Sequence, residues 1–168
     1  VKELIENSID AGATVIGVEV RQGGRRLIRV TDNGHGIPAT ELALAFARHA
    51  TSKIARMEDL DSVQTLGFRG EALASIGAVA NVTLVSRPQD QEVGCELRVT
   101  DGSAGEPCGR GVPSGTIVTV EHLFHSVPAR LKFLRSDTTE VARVTEVVTR
   151  YAMAYPSVCF SFTIDGRL

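Results

Sequence analysis

The chain of 168 residues has the length of one domain, and 43% hydrophobic residues are enough to build a core. Its net charge of −2, from 18 Lys and Arg against 20 Asp and Glu, excludes a uniformly basic nucleic-acid-binding surface. No apolar run is long enough to span a bilayer, and no signal peptide is visible. Cys95, Cys108 and Cys159 lack disulfide or metal-ligand spacing and indicate reduced thiols in a cytosolic or nuclear setting.

Hydrophobic periodicity and turn residues predict a series of helices and strands. Helices are expected at 1–11, 39–48, 69–76 and 137–154, and strands at 14–20, 26–31, 80–87, 94–100, 115–122 and 158–164. Gly23-Gly24 predicts a hairpin turn, whereas the polar stretch 50–66 and the glycine-rich loop 101–114 have no clear element. Strands joined by short turns imply an α+β domain, with a mixed, mostly antiparallel sheet covered on one face by helices.

The polar side of helix 1–11 is a candidate metal and nucleotide site. At about 100° per residue, Glu3, Asn7 and Asp10 fall within roughly 60° of one another, with Glu6 at the edge of the same arc. An ordinary solvated helix face is the simpler interpretation of this pattern alone. Asn is unfavourable inside a helix, however, and its carbonyl oxygen suits a hard cation such as Mg²⁺. Glu3, one turn earlier, can act as a general base on a water molecule.

Asp32 ends an apolar strand and is followed by Asn33-Gly34-His35-Gly36. A carboxylate held at a strand end can accept a hydrogen bond from an exocyclic amine such as that of adenine. Gly34 and Gly36 remove side chains, so that a flat base and a sugar can approach the backbone. A simple turn is the alternative, because Asp-Asn-Gly sequences are common turn formers.

The segment from Gly34 to Ala39 also matches the G-x-G-x-x-A fingerprint of dinucleotide-binding folds. Its context is wrong for that function. The preceding connection is a hairpin rather than a βαβ crossover, and the polar Ala50-Thr51-Ser52-Lys53 segment stands where a second buried strand is required. An oxidoreductase is therefore disfavoured, and the chain contains neither a P-loop nor an EF-hand motif.

Gly67-Phe68-Arg69-Gly70 enters a predicted helix, where free backbone N–H groups can bind an anion. Lys53 and Arg69 can add positive charge, and the preceding polar stretch suits a lid that orders over a nucleotide. A glycine-rich helix entry without a ligand is the alternative. Thr116, which opens a strand, can share a water with a bound base or contact Asp32, although threonine is also a common strand former.

Four motifs in this order resemble those of the GHKL, or Bergerat-fold, ATPases, whose fold is an α/β sandwich. They are Glu3-x-x-x-Asn7-x-x-Asp10-Ala11, Asp32-x-Gly34-x-Gly36, the segment from Gly67 to Leu73, and Gly115-Thr116. Four segments are more specifically similar to the MutL family of DNA mismatch repair proteins: Lys2 to Ala13, Ala47 to Ile54, Leu66 to Ile76 and Pro128 to Leu134. The likeness covers essentially the whole chain.

This resemblance implies a role for each matching residue. Glu3 would be the general base, Asn7 the Mg²⁺ ligand and Asp32 the adenine-specifying carboxylate. The implied ATP-binding set is Asn7, Ala11, Asp32, Gly36, Ile37, Thr51, Ser52, Lys53, Gly67, Phe68, Arg69, Gly70 and Thr116. ATP and Mg²⁺ are therefore the implied cofactors of a slow ATPase, and ATP would act as a switch for dimerisation.

The implied partners are a second N-terminal region, in a homo- or heterodimer formed on nucleotide binding, and, through the intact protein, a MutS-type mismatch recognition protein and DNA. No membrane is implied, and the location would be the cytoplasm in a bacterium or the nucleus in a eukaryote. Residues 1–168 are expected to form one GHKL ATPase domain, truncated at both ends and without the second domain that supplies a lysine to the γ-phosphate. His125-Ser126 departs from the aromatic-Asn pair that is more frequent in the family.

Two alternatives stay open from the sequence. The chain can be a nucleotide-gated interaction module with incidental hydrolysis, or another GHKL member. Direct DNA contact is a weaker hypothesis, carried by Arg21, Arg25, Arg26 and Arg29 around one hairpin and by Arg130, Lys132 and Arg135 around another loop. Solvated charged faces are the simpler interpretation of these clusters, and no base-stacking aromatic residues are interleaved with them.

Overall fold

In the computed structural model, which describes residues 1–47 and 71–168, eight strands form one mixed sheet. The strands are β1 (Val15–Arg21), β2 (Leu27–Asp32), β3 (Asn81–Arg87), β4 (Gly94–Thr100), β5 (Ser103–Ala104), β6 (Cys108–Arg110), β7 (Gly115–Glu121) and β8 (Cys159–Ile164). Their order is β5-β4-β3-β7-β2-β1-β8, with β6 also paired to β4. Only the β1–β8 pair is parallel among these strands, which confirms the predicted mixed, mostly antiparallel sheet.

The described residues form five α-helices: α1 (Lys2–Asp10), α2 (Ala39–Leu42), α3 (Ala72–Gly77), α4 (Pro128–Leu131) and α5 (Asp137–Ala154). Helices α1, α2, α3 and α5 contribute residues to the core on one face of this sheet. Alternate residues of β1 are buried on this face, including Ile16 and Val18, because successive side chains of a strand point to opposite sides. Leu4 and Ile5 of α1 and Leu42 of α2 extend the same core. Burial of both apolar residues of the first α1 turn fixes that helix to the sheet.

Several basic residues of the β1–β2 hairpin are paired with carboxylates. Glu19 lies 2.8 Å from Arg21 Nη2 and 3.1 Å from Arg29 Nη1. Arg25 forms an ion pair with Asp137 in the first turn of α5. Two carboxylates therefore partly neutralise these three arginines, which favours a solvated charged face over a free basic patch for nucleic acid.

Helix α2 is shorter than the predicted 39–48 helix. It ends at Leu42 and is followed by a 3₁₀ turn, Leu44–Phe46, while residue 48 lies outside the described residues. Leu42 is fully buried and Phe46 packs against the core, whereas Leu44 is 56% exposed. The tighter turn keeps Phe46 on the core after the α-helix ends. The helix predicted at 69–76 begins at Ala72 in the described part, and residues 69 and 70 lie outside it.

The loop predicted at 101–114 contains β5 and β6, which both pair with β4. Asp101 and Gly102 have φ angles of 51° and 77°, and Thr100 pairs with Ser103 across this two-residue turn. Positive φ at both central residues is the conformation that twisted hairpins favour, and Asp-Gly is suited to it. Both residues of β5 are exposed, so no alternation of buried and exposed residues marks the strand. Helix α4, which begins at Pro128, also lies where no helix is predicted.

Two predictions from composition concern membrane-spanning segments and the state of the cysteines. No helix within residues 1–47 or 71–168 is long and apolar enough to cross a membrane. The three cysteines are free thiols, with Cys95 buried and both Cys108 and Cys159 exposed.

Candidate functional site

Asp32 is held at the end of β2, between β1 and β7, by three hydrogen bonds from three different parts of the fold. Ser8 Oγ of α1 donates to Asp32 Oδ2 at 2.8 Å. The backbone N–H groups of Gly34 and Thr116 both donate to Oδ1, at 2.9 and 3.2 Å. Burial raises the pKa of the Asp32 carboxyl, and these three donors oppose that rise by stabilising the charged form.

These contacts leave one oxygen of Asp32 with capacity for a ligand. An ionised carboxylate has about four acceptor positions, two on each oxygen. Oδ1 is filled by two backbone donors, whereas Oδ2 receives only the Ser8 hydroxyl. Asp32 can therefore accept one more hydrogen bond, at Oδ2, from a donor on a bound molecule.

Thr116 lies beside Asp32 and is linked to a serine that the sequence analysis missed. Ser86 on β3, only 1% exposed, accepts from the backbone N–H of Ile37 at 2.8 Å and donates to the Gly115 carbonyl at 2.9 Å. Its Oγ is also 2.9 Å from Thr116 Oγ1. Because Ser86 has one hydroxyl hydrogen, which the Gly115 carbonyl accepts, Thr116 must donate to Ser86. The lone pairs of the Thr116 hydroxyl then remain available to accept from a ligand or water.

Two glycines allow the backbone segments of the site to meet. Gly36 has φ 76°, and a Cβ there would lie 2.5 Å from the carbonyl oxygen of Arg87. Gly115 has φ 114°, and a Cβ there would overlap the carbonyl oxygen of Asp32. Side chains at either position would separate β2, β3 and β7 at the site, so glycine is required for this close approach.

The two segments singled out in the sequence, α1 and the loop after β2, are joined directly. The Asn33 amide oxygen accepts from the backbone N–H groups of Thr14 and Val15, each at 2.9 Å. The backbone N–H of His35 donates to the carbonyl of Ala11 at 3.0 Å. Together with the Ser8–Asp32 bond, these contacts fix the C-terminal end of α1 against the Asp32 loop.

Glu3 and Asn7 lie one turn apart on α1. Glu3 is exposed in the first turn, and Asn7 is partly buried. Glu6, predicted at the edge of the polar arc, is instead only 7% exposed and contacts Tyr151 of α5. The polar residues of α1 therefore divide into an exposed carboxylate at Glu3, a partly buried amide at Asn7 and a buried carboxylate at Glu6.

Several predicted site residues lie outside the described residues. These are Thr51, Ser52, Lys53, Gly67, Phe68, Arg69 and Gly70. The predicted site residues that the structure describes form two groups. One group surrounds the hydrogen bonds of Ser86 and consists of Asp32, Gly36, Ile37 and Thr116. The other lies on or just after α1 and consists of Glu3, Asn7 and Ala11. Two serines at the site were absent from the sequence prediction. Ser8 joins α1 to Asp32, and Ser86 joins β3 to Ile37 and Thr116.

The donor set suits a cation that arrives with its own oxygen ligands. In residues 1–47 and 71–168, no group of three or more His, Cys, Asp or Glu side chains is placed to hold a metal ion. Mg²⁺ bound to nucleotide phosphates needs only one or two protein ligands. The amide of Asn7 can provide one such oxygen, on the helix that also carries Glu3. These residues therefore fit a nucleotide-borne Mg²⁺.

Comparison with known proteins identifies the class to which this fold and site belong. The family model described as histidine kinase-, DNA gyrase B- and HSP90-like ATPase matches residues 1–106. The chain belongs to this family, and its fold is the GHKL ATPase fold predicted from the four motifs.

Within the family, the chain is similar to proteins named MutL. It is 52% identical to the DNA mismatch repair protein MutL of Pelobacter propionicus, over 99% of this chain and 28% of that protein. Identity to MutL of Brucella abortus is 53%, over 99% of this chain and 26% of that protein. The Aquifex aeolicus MutL ATPase domain, solved in complex with ADP, is 37% identical with a TM-score of 0.77, covering 99% of this chain and 58% of that one. The chain thus spans little more than a quarter of the curated relatives it matches.

Proposed function

We propose that this chain binds ATP with Mg²⁺ and hydrolyses it slowly, and that nucleotide binding gates N-terminal dimerisation of a MutL-type DNA mismatch repair protein. The observation that carries the proposal is the Asp32 carboxylate, which has three protein donors and one remaining acceptor position. The ADP complex of the Aquifex aeolicus MutL ATPase domain supports an adenine nucleotide as the ligand.

Adenine matches the hydrogen-bonding capacity of this site. Its exocyclic amino group can donate to Asp32 Oδ2, and a water or a second donor can reach the Thr116 hydroxyl, which accepts because it donates to Ser86. Guanine carries a carbonyl oxygen where adenine carries the amino group. That oxygen would face a carboxylate oxygen without a proton between them, so the site discriminates against GTP.

Hydrolysis would use the residues of α1. The exposed Glu3 carboxylate accepts a proton from the water whose oxygen attacks the γ-phosphorus, and ADP leaves as the bond to the bridging oxygen breaks. Asn7 would hold Mg²⁺, which neutralises phosphate charge when bound. Thr51, Ser52, Lys53 and the segment from Gly67 to Gly70 are proposed as phosphate contacts on the family resemblance.

Nucleotide binding would then control assembly. ATP-bound N-terminal regions are proposed to pair as a homo- or heterodimer, and the intact protein is proposed to meet a MutS-type mismatch recognition protein and DNA. The support is the similarity to DNA mismatch repair proteins named MutL, which are 52% and 53% identical to this chain over nearly its whole length.

Equilibrium binding of ATP and GTP to the full-length protein, with and without Mg²⁺, tests the proposal. We expect ATP to bind roughly 5- to 150-fold more tightly than GTP, since an unpaired buried polar group costs about 1–3 kcal/mol. Mg²⁺ should strengthen ATP binding less in Asn7→Ala than in the unmodified protein. Equal affinity for the two nucleotides would contradict the role of Asp32. Sedimentation with a non-hydrolysable ATP analogue should show a dimer that is absent without nucleotide.

A further inference from the structure

A partly buried hydrogen bond connects α1 to α5. Glu6 Oε1 accepts from the Tyr151 hydroxyl at 2.5 Å, and Lys2 Nζ lies 3.5 Å from the same oxygen. Glu6 is 7% exposed, whereas the Lys2 side chain is 61% exposed. A buried carboxylate is strongly unfavourable unless it is hydrogen-bonded, so Tyr151 is the interior partner that makes the position of Glu6 stable.

Tyr151 is a constant donor in this contact. Burial raises the pKa of its hydroxyl well above the ordinary value for tyrosine, and the hydrogen bond to Glu6 raises it further. The hydroxyl therefore keeps its proton across the physiological pH range. The ring is also stacked on Tyr155, with 6.3 Å between the ring centroids, which limits its movement.

Helix α5 is a fixed support for Tyr151. At its start, Asp137 forms an ion pair with Arg25, and Gly23 packs closely against the Asp137 backbone. Near its end, Val148 is buried in the core, and Tyr151 lies three residues further on, on a neighbouring part of the same helix face. Tyr151 is thus held by a helix that is attached to the sheet independently of α1.

Helix α1 has polar attachments to two other parts of the fold. Ser8 and Ala11 bond to the Asp32 loop. Leu4 and Ile5 pack in the core, and such apolar packing is not directional. Glu6 adds a directional contact, to Tyr151 of α5.

We propose that Tyr151, acting through Glu6, is a positioning residue that sets the rotation of α1 and so the placement of Glu3 and Asn7. Glu6 follows Glu3 by three residues and directly precedes Asn7, so any rotation that moves Glu6 from Tyr151 moves both. Two of the three hydrogen bonds to Asp32 come from outside α1, so adenine recognition should depend less on this bond than the placement of Glu3 and Asn7 does. The inference rests on the proposed function, in which Glu3 is the general base and Asn7 the Mg²⁺ ligand.

Tyr151→Phe in the full-length protein removes the hydroxyl and keeps the ring. We expect kcat for ATP hydrolysis to fall about 10-fold, and at most about 100-fold, as misplaced catalytic groups do. The dissociation constant for ATP without Mg²⁺ should change by less than about twofold. Tyr155→Phe is the matched control, because it makes the same chemical change one turn later in the same aromatic pair, and it should leave kcat unaltered.

A further pair of variants separates positioning from stability. Glu6→Gln retains a carbonyl oxygen that can accept from Tyr151, so it should keep more turnover than Tyr151→Phe. The double variant Glu6→Gln with Tyr151→Phe removes the buried charge and the hydrogen bond together. If the contact positions α1, the double variant stays slow even when its thermal stability recovers.

Two results would overturn the inference: a kcat for Tyr151→Phe equal to that of Tyr155→Phe, or recovery of turnover in the double variant. Glu3→Ala, measured alongside, distinguishes this failure from failure of the proposed function. If Glu3→Ala loses turnover but Tyr151→Phe does not, only the positioning role is wrong. If Glu3→Ala hydrolyses ATP as fast as the unmodified protein, the proposed function and the inference are both wrong.

Discussion

The candidate site has a proposed adenine-binding end, at Asp32 and Ser86, and a proposed catalytic end, at Glu3. The two ends are built differently. At the proposed adenine-binding end, Asp32 is held by three hydrogen bonds from three parts of the fold, and Ser86 by three hydrogen bonds that come from β7 and from the loop after β2. At the proposed catalytic end, Glu3 is an exposed side chain in the first turn of α1. Under the proposed function, recognition of adenine would therefore be preorganised by the sheet, whereas catalysis would depend on the placement of one helix.

This difference implies that binding and turnover can be changed separately. Substitutions at the adenine end should lower nucleotide affinity with little direct effect on the chemical step. Substitutions on the first turns of α1 should lower turnover while leaving adenine recognition in place. Four predictions follow this division from the largest expected effect to the smallest.

Removing the carboxylate at the catalytic end should separate the two ends most clearly. We expect Glu3→Ala to lower kcat by about 10²- to 10⁴-fold, the usual loss of a general base, and to leave the ATP dissociation constant nearly unchanged. Single-turnover hydrolysis and equilibrium binding measure the two quantities. Glu146→Ala is a suitable control, because it removes an exposed helical carboxylate whose ion pair with Arg150 contributes little. Loss of binding with unchanged hydrolysis per bound nucleotide would reverse the roles assigned to the two ends.

Changing the acceptor at the adenine end should affect binding. In Asp32→Asn, the retained oxygen can still accept from Gly34 and Thr116, and Ser8 can turn its hydroxyl hydrogen to the Leu4 carbonyl, 3.1 Å away. The new NH₂ group then faces the adenine amino group, donor against donor. We expect ATP affinity to fall by about 1–3 kcal/mol with the fold intact, measured by calorimetry and thermal unfolding. Asp90→Asn, at an exposed turn, controls for the loss of charge. Unchanged affinity would contradict the role of Asp32.

The sequence predicted those parts of the molecule that depend on local pattern. The expected strand 115–122 is β7, Gly115–Glu121, and the expected helix 137–154 coincides with α5. Both have a hydrophobic period and clear end signals, such as Gly115 and the Ser136 cap of α5. The position of Asp32 at a strand end, close to α1, follows from similar reasoning.

The residues that the sequence analysis missed are those whose roles depend on long-range pairing. Ser86 lies directly opposite Thr116 because β3 pairs with β7, an arrangement that only the strand order reveals. Tyr151 meets Glu6 across 145 residues of sequence, and β8 pairs in parallel with β1 although the rest of the sheet is antiparallel. A serine within an apolar strand and a tyrosine on a helix have no distinctive local pattern, so their partners had to come from the structure.

Loss of the buried serine should show how far the adenine end depends on preorganisation. Ser86→Ala leaves the Ile37 N–H and the Thr116 hydroxyl without their partner. We expect a loss of about 1 kcal/mol or somewhat more in the free energy of unfolding, and ATP affinity reduced about fivefold with kcat nearly unchanged. Urea unfolding and equilibrium binding measure these effects. Ser161→Ala makes the same change at an exposed position of β8 and should be close to neutral. A kcat loss larger than the affinity loss would show that the two ends are coupled.

The smallest effect is expected from pH, because three donors oppose the raised pKa of Asp32. As pH falls through this pKa, the proton must occupy Oδ2, since Oδ1 already accepts two backbone N–H groups. That proton blocks the acceptor position proposed for adenine, so ATP affinity should fall on acidification. Stability without nucleotide should change in the opposite direction at this residue. An acid with a raised folded-state pKa binds more protons when folded, so its ionisation lowers stability as pH rises through the interval between the unfolded and folded pKa values. ATP affinity and stability without nucleotide are measured from neutral to acidic pH for the unmodified protein and for Asp32→Asn, and the difference between the two proteins isolates the contribution of Asp32. Parallel pH profiles of ATP affinity for the two proteins would show that protonation of Asp32 does not compete with the nucleotide.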